Sequence, residues 1–286
     1  MQYQDLSKFL STGLTQLASG PVGVLLMEDL SETNSTIRHH MRHGLQNIIV
    51  LGGEQLKISR ELQKSIHHIV YDLGVENAMQ SAINPLIAAL PNRWFYYGFN
   101  TEYLFYPYCE TRTVGEMTVF ANEERRNSIL TYVIDLYADD LNAHPDGVSL
   151  TDAHLDKSGY YANGRWRDGG NLERQLDMFG GLRWRFEEHI PWERRKIDRI
   201  GLFRAQKGLE LRGDHTFNME EYNTYACPWH HNVTAAICSF RAAKSLKLNP
   251  GSSELIDTFT WHNSEKFTWH SRHLLDMGLM EPGQWF

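Results

Sequence analysis

The residues best suited to chemistry in this chain are carboxylates at the ends of apolar runs or beside clustered arginines. Glu102 comes just after one apolar run, and Asp135 lies near the end of another. Glu187 and Glu188 directly follow a stretch rich in aromatic and arginine residues. A carboxylate can coordinate a hard divalent cation or take a proton from a hydroxyl group. These four residues are therefore the first candidates for binding or catalysis.

Histidine offers a second kind of chemistry, since the chain has 14 histidines. His39, His40 and His43 have the spacing of one helix face, which can bind a metal ion, but the sequence supplies no further ligand beside them. No HExxH zinc motif, no Gly-x-Ser-x-Gly elbow and no phosphate-binding glycine motif is present. We therefore expect a structural role for these histidines, and a metal-dependent hydrolase ranks last among the functions considered.

The composition is that of an ordinary globular protein, with 42% hydrophobic and 22% charged residues. The net charge of −7 argues against a generic nucleic-acid binder, which carries a basic excess. Three cysteines without a CxxC pair support neither a disulfide framework nor a cysteine zinc site. No run approaches the roughly 20 apolar residues of a membrane span, and no secretory signal pattern is present. These features predict a cytoplasmic protein, or one held peripherally at a membrane.

The first half of the chain alternates apolar runs with helix-like segments. The runs at 22–27, 47–51, 66–73 and 94–99 predict buried strands, and the segments 31–43 and 76–90 predict helices. This alternation is typical of an α/β fold with a mostly parallel central sheet flanked by helices. Ligands of such sheets bind at the carboxyl ends of the strands. No linker-like segment divides the chain, so we expect a single domain over residues 1–286.

The second half of the chain has a less regular pattern. We predict helices at 114–127 and 235–248, a strand at 129–137, a loop over 140–170 and a small second sheet from 200–203 and 208–211. The C-terminal third is therefore expected to be irregular.

Polar residues in the first half follow one another in a characteristic order. An acidic pair ends the first predicted strand, a histidine precedes a glycine by four residues, and a helix with glutamine and asparagine precedes a Trp-led strand. The residues are Glu28, Asp29, His40, Gly44, Gln80, Asn84 and Trp94. This order resembles family 2 glycosyltransferases, in the subgroup with a DxDEF-type motif after the Trp-led strand. Here Asn100-Thr101-Glu102 stands at that motif and keeps one carboxylate. Weaker similarity continues at Gly213-Asp214-His215 and at Trp229-His230-His231.

The resemblance implies a nucleotide-diphospho-sugar transferase fold of the GT-A type. The nucleotide-binding half would cover about residues 20–110, and the acceptor half about residues 111–286. The implied activity is glycosyl transfer from a nucleotide-sugar donor, in surface polysaccharide or glycolipid assembly, to an acceptor that is a glycan or a lipid-linked molecule. The donor-binding residues would be Glu28, Asn84, Asn100, Glu102, Arg183 and Arg185.

The resemblance also implies a divalent cation, because many such transferases hold the donor diphosphate with Mg²⁺ or Mn²⁺. Glu102 and His215 would be the metal ligands, and a single carboxylate predicts weak binding in the absence of nucleotide. Charge stabilisation by the arginines and lysine between residues 183 and 196, without a metal, is the alternative.

The catalytic base stays open at this point. An inverting transferase would use Asp135, Glu187 or Glu188, and retaining chemistry is a further alternative. The weakened acidic motif also supports a second hypothesis, in which the protein is a catalytically weakened relative that acts as a binding or assembly partner. The aromatic C-terminal tail, residues 280–286, would then dock on another chain or a second copy. Core or interface packing, with sugar stacking as the alternative, is expected for the aromatic residues Trp261, Phe267, Trp269, Trp285 and Phe286.

Overall fold

The strands follow the apolar runs of the sequence closely in the first half of the chain. The computed structural model describes residues 1–225 and 231–285. In these residues the strands are β1 (Gln2–Tyr3), β2 (Val22–Met27), β3 (Asn47–Gly52), β4 (Ile66–Val70), β5 (Trp94–Phe99), β6 (Glu102–Phe105), β7 (Ser128–Asp135), β8 (Tyr137–Ala138), β9 (Ala153–Asp156), β10 (Tyr161–Arg167), β11 (Gly170–Phe179), β12 (Asp198–Arg204), β13 (Ala235–Ser239) and β14 (Ser264–Lys266). Trp229, His230 and Phe286, named above, and Cys227, one of the three cysteines, lie outside the described residues.

Helices separate many of these strands. They are α1 (Leu6–Thr12), α2 (Thr33–Arg42), α3 (Arg60–Gln63), α4 (Ala78–Ala89), α5 (Val114–Glu123), α6 (Leu182–Arg185), α7 (Arg241–Leu248), α8 (Pro250–Ser253) and α9 (Ser271–Asp276). The helix predicted over 76–90 is α4, which continues through Pro85.

The central sheet has the strand order β1-β4-β3-β2-β5-β12-β7-β13-β6. The pairs β1/β4, β4/β3, β3/β2, β2/β5 and β7/β13 are parallel, and β12 is antiparallel to β5. In register, Leu25 of β2 pairs with Val50 on one side and with Gly98 on the other. The predicted α/β class, with a large and mostly parallel central sheet flanked by helices, is confirmed.

Burial explains why the first strands could be recognised. Every residue of β2, β3 and β5 is buried, and parallel strands covered on both faces read as continuous apolar runs. Leu26 and Tyr97 from these strands share one core cluster with Leu86 of α4. Helix α4 therefore covers the sheet with the face that the sequence makes apolar.

The chain forms two compact units. Unit 1 contains residues 1–103, 109–130 and 200–223, and unit 2 contains residues 104–108, 131–199 and 224–286. The single-domain assignment and the division near residue 110 stay predictions.

One segment of the second half was assigned to the wrong element. Residues 235–248 were predicted as one helix, but β13 occupies the first part and α7 begins only at Arg241. Every residue of β13 is buried, and it pairs in parallel with β7. Alanine-rich sequence favours a helix locally, and burial in a sheet overrides that weak preference.

The predicted loop over 140–170 is also wrong in part, because β9 and β10 lie within it. The small second sheet predicted from 200–203 and 208–211 does not form. Residues 200–203 belong to β12 of the central sheet, and Leu211 makes only an isolated bridge to Phe217. With β12 and β13 in that sheet, the C-terminal third is more regular than expected. Strands β9 and β10 were not predicted, because β9 has only four residues and the apolar and polar residues of β10 do not alternate regularly along the chain.

Candidate functional site

The strand order of the parallel sheet in unit 1 reverses between β2 and β5. The candidate site lies at the carboxyl ends of these two strands. These two strands are neighbours, and β3 and β4 extend the sheet from the other side of β2. A point of this kind, where the strand order reverses, is where open α/β sheets bind ligands. Glu28 and Asp29 follow β2, and Asn100 follows β5. The structure therefore brings together three of the residues selected from sequence.

Asn100 connects the two strand ends. Its Oδ1 accepts a hydrogen bond from the Glu28 backbone N–H at 3.0 Å. Its Nδ2 donates to Asp29 Oδ1 at 2.6 Å and to the Ser31 carbonyl at 3.0 Å. Asn100 itself is fully buried, whereas the Glu28 side chain is exposed and Asp29 is half-buried. The amide thus fixes the backbone that presents Glu28 and Asp29.

Replacing Asn100 by aspartate is expected to destabilise the protein, although it makes the segment more similar to an acidic motif. The new carboxylate could not donate to Asp29 and would place a negative charge against it. A lost hydrogen bond to a charged group costs about 2 kcal/mol. Urea unfolding of the N100D variant measures this loss, with Asn171→Asp, at an exposed asparagine of β11, as control. Equal stability of the two variants would show that the Asn100 amide does not hold the strand ends.

Thr101 and Glu102 form the tight connection from β5 to β6. Thr101 has a positive φ of 62°, and its N–H donates to Thr36 Oγ1 of α2 at 3.0 Å. The Glu102 side chain is fully buried, and its Oε2 accepts from the Phe99 N–H at 2.9 Å. The one carboxylate of the segment therefore bonds to the backbone of its own turn.

His215, the other expected metal ligand, contacts Tyr97 of β5. Its Nδ1 is 3.0 Å from the Tyr97 hydroxyl, and the two rings stack with centroids 6.0 Å apart. In residues 1–225 and 231–285, no three His, Cys, Asp or Glu side chains come together as a metal site. A hard divalent cation needs several oxygen ligands, and the buried, backbone-bonded Glu102 fits that need poorly.

Asn84 has a clear positioning role in unit 1. Its Nδ2 donates to the Leu211 carbonyl at 3.1 Å, and its Oδ1 accepts from the Leu211 N–H at 2.8 Å. This two-way bond joins α4 to the segment that precedes His215. The side chain predicted to bind the donor thus also holds a neighbouring loop.

His40 is a buried histidine at this edge of unit 1. Its ring is fully buried and stacks on Tyr96 with centroids 4.8 Å apart. Nδ1 lies 2.8 Å from the Thr36 carbonyl, which assigns the proton to Nδ1, and Nε2 is buried without a hydrogen-bond partner. Burial lowers the pKa of His40 to about 4. The imidazole is therefore neutral at pH 7, and the expected structural role agrees with this environment.

In unit 2, Asp135 stands at the end of β7 and is 1% exposed. Its Oδ2 accepts from the Arg183 backbone N–H and its Oδ1 from Arg183 Nε, each at 3.2 Å. Burial raises the pKa of the Asp135 carboxyl, and the Arg183 guanidinium opposes that shift. The sequence selected both residues, and the structure brings them together as an ion pair.

A second buried ion pair in unit 2 joins Asp156 and Arg185. Asp156 Oδ2 lies 3.1 Å from Arg185 Nε, and Asp156 Oδ1 accepts from the Tyr137 hydroxyl at 2.6 Å and from Trp261 Nε1 at 2.8 Å. The Arg185 guanidinium lies 4.8 Å from the Trp261 ring centroid. Sequence reasoning missed Asp156 because it falls in the predicted loop. Arg183 and Arg185 were expected to bind the donor, and each of them forms an ion pair with a buried carboxylate.

Gly181 makes the first of these ion pairs sterically feasible. It has a φ of 64°, and a Cβ atom at this position would lie 2.9 Å from Asp135 Oδ2. Only glycine therefore lets the start of α6 approach Asp135 closely enough for the Arg183 N–H to bond.

The remaining candidates for the base, Glu187 and Glu188, lie on the surface. Glu187 accepts from Arg195 at 2.9 Å with 59% of its side chain exposed, and Glu188 lies 3.7 Å from His189. The aromatic C-terminus is mostly packed inside unit 2. Trp285 contacts the rings of Tyr106 and Tyr108 and is buried.

None of the helices in the described part of the chain is long and apolar enough to cross a membrane. Comparison with protein-family models gives no matching family for this chain. Comparison with curated proteins gives no match either.

Proposed function

We propose that the protein is a glycosyltransferase that uses a nucleotide-sugar donor, bound at the carboxyl ends of β2 and β5. The observation that carries the proposal is the reversal of strand order between these two strands, with Glu28 and Asp29 presented there by Asn100. Such a point suits a nucleotide, because carboxylates there can accept hydrogen bonds from ribose hydroxyls. Surface polysaccharide or glycolipid assembly is the process in which we place it.

The general base stays a prediction, with Asp135, Glu187 and Glu188 of unit 2 as its candidates. A base works best when its pKa lies near the working pH, and burial raises the pKa of Asp135. Glu187 and Glu188 are exposed and lie beside a basic side chain or a histidine. Asp135 is buried, and its two oxygens accept hydrogen bonds from Arg183.

The donor proposal predicts that nucleotides stabilise the protein against heat. A ligand present at about 100 times its Kd stabilises the folded state by about 2.7 kcal/mol. Thermal unfolding with nucleoside diphosphates and nucleotide-sugars, each with and without Mn²⁺, measures this shift. We expect a rise in Tm that Glu28→Ala reduces at least by half.

The matched control is Glu54→Ala. Glu54 is another exposed glutamate after a parallel strand, but it follows β3 instead of β2. It should leave the nucleotide-dependent rise in Tm unchanged. A wild-type protein whose Tm none of the nucleotides raises would overturn the donor proposal.

A catalytically weakened relative that binds the donor without transferring it is the second candidate. It is favoured by the burial of Glu102 and by its bond to the Phe99 N–H, which commit this carboxylate to the turn. Release of nucleotide diphosphate from the bound donor separates the two candidates. Stabilisation by a nucleotide-sugar without release, over a panel of glycan and lipid-linked acceptors, would favour the weakened relative.

A further inference from the structure

An aromatic stack with two exposed rings lies in unit 2. Tyr161 of β10 and Trp192 both stack on Phe179 of β11, with ring centroids 5.2 Å and 5.3 Å from the Phe179 centroid. Phe179 is buried, whereas Tyr161 and Trp192 are 42% and 55% exposed. Tyr161 and Phe179 are also direct partners across the hairpin. We call Tyr161, Phe179 and Trp192 the aromatic platform.

An arginine lies over one ring of the platform. The Arg195 guanidinium lies 5.7 Å from the Trp192 ring centroid. Its Nε donates to the Ile190 carbonyl at 2.8 Å, and its two terminal nitrogens donate to Glu187 Oε2 at 2.9 Å and to the Glu187 carbonyl at 2.7 Å. These bonds hold the guanidinium in place while the Glu187 carboxylate stays largely exposed. Arg195 and Glu187 therefore lie beside the exposed Trp192 ring in fixed positions, and a ligand could bond to them without any movement of these side chains.

The charges around the platform point to a neutral partner. Residues 187–196 contain three acidic and three basic side chains, which are Glu187, Glu188, Glu193, Arg194, Arg195 and Lys196. Balanced charge gives no net attraction for an anionic membrane or for a strongly charged chain.

We infer that the aromatic platform binds a neutral glycan. The face of an aromatic ring carries negative potential, which suits the C–H face of a pyranose ring. The hydroxyl groups at the edge of the same sugar can donate to the Glu187 carboxylate and accept from Arg195. The inference concerns binding in unit 2 alone and does not depend on the donor proposal in unit 1.

Affinity electrophoresis of the full chain tests the inference, in native gels that each contain one soluble neutral polysaccharide: a glucan, a mannan, a galactan or a xylan. At least one polysaccharide should retard the wild-type protein. Trp192→Ala should lower the association constant at least tenfold, and Trp192→Phe, which keeps an aromatic ring, should lower it less than threefold. Thermal unfolding of each variant verifies that it is folded.

The matched control is Trp166→Ala. Trp166 is 65% exposed on β10 of the same hairpin but is not part of the platform. It should change the association constant less than twofold. The inference is overturned if none of the four polysaccharides retards the protein, or if both tryptophan substitutions weaken binding equally. Self-association measured by sedimentation, and lost in Trp192→Ala without any glycan binding, would assign the platform to a second copy instead.

Discussion

Replacing Asp135 by alanine is expected to lower the free energy of unfolding by about 3–5 kcal/mol, as for the loss of one partner of a buried ion pair. The side chains of Asp135 and Arg183 are 0% and 12% exposed. Without the carboxylate, the Arg183 guanidinium stays largely buried and loses its counter-charge. The Arg183 backbone N–H at the start of α6 loses its acceptor at the same time. Urea unfolding at pH 7 measures the loss.

Two further variants separate the ion pair from a general effect of removing an aspartate. Asp135→Asn keeps an oxygen acceptor for the Arg183 N–H and should lose less stability than the alanine variant. Asp257 is an exposed aspartate of unit 2, so Asp257→Ala should change stability by less than about 0.5 kcal/mol. A loss below about 1 kcal/mol in Asp135→Ala would contradict a buried ion pair at this position.

The burial of His40 is expected to make the protein less stable as the pH falls from about 7 to about 4. The unfolded imidazole takes up a proton near pH 6.5, whereas the folded one, with a pKa of about 4, does so only at lower pH. His40 therefore contributes stability above pH 6.5 and loses it as the pH falls through the folded pKa. A pKa difference of about 2.5 units corresponds to about 3 kcal/mol.

Comparison of variants isolates this contribution, because other groups titrate as well, and burial also lowers the pKa values of His43, His67 and His68, in the same sense as for His40. Burial raises the pKa values of Asp135, Asp156 and Asp198, so these carboxyls contribute stability at low pH and lose it as the pH rises. Urea unfolding over this pH range should show a smaller acid-side loss in His40→Asn than in the wild type. His262→Asn, at an exposed histidine, is the control and should keep the wild-type pH profile. Parallel profiles for the wild type and His40→Asn would contradict the burial argument.

The predicted strands that were confirmed share one physical property. Val22–Met27 and Trp94–Phe99 are buried along their whole length in a parallel sheet, so a continuous apolar run specifies them without reference to distant residues. The strand Ala153–Asp156 has two polar residues among four, and it pairs with β8 and β14, neither of which is adjacent to it in sequence. Local pattern carries little information about a strand whose stability depends on such partners.

The candidate site shows the same division. The resemblance to family 2 glycosyltransferases selected Glu28 and Asn100, and both follow strands that are neighbours in the parallel sheet. It could not show that Asn100 is the buried link between β2 and β5 or that Glu102 bonds to the backbone of its own turn. These are properties of contacts, and the type of a residue does not reveal them.

The sequence by itself thus determined the α/β class, the first parallel strands and the edge of the sheet where polar residues gather. Only the tertiary structure decided which of those residues are exposed and which are already bonded within the fold. Asp135 with Arg183 and Asp156 with Arg185 are the clearest cases, since each pair joins residues 48 and 29 positions apart, respectively. The reason is that hydrophobic periodicity is a local property of the sequence, whereas burial and charge pairing arise only when distant segments pack together.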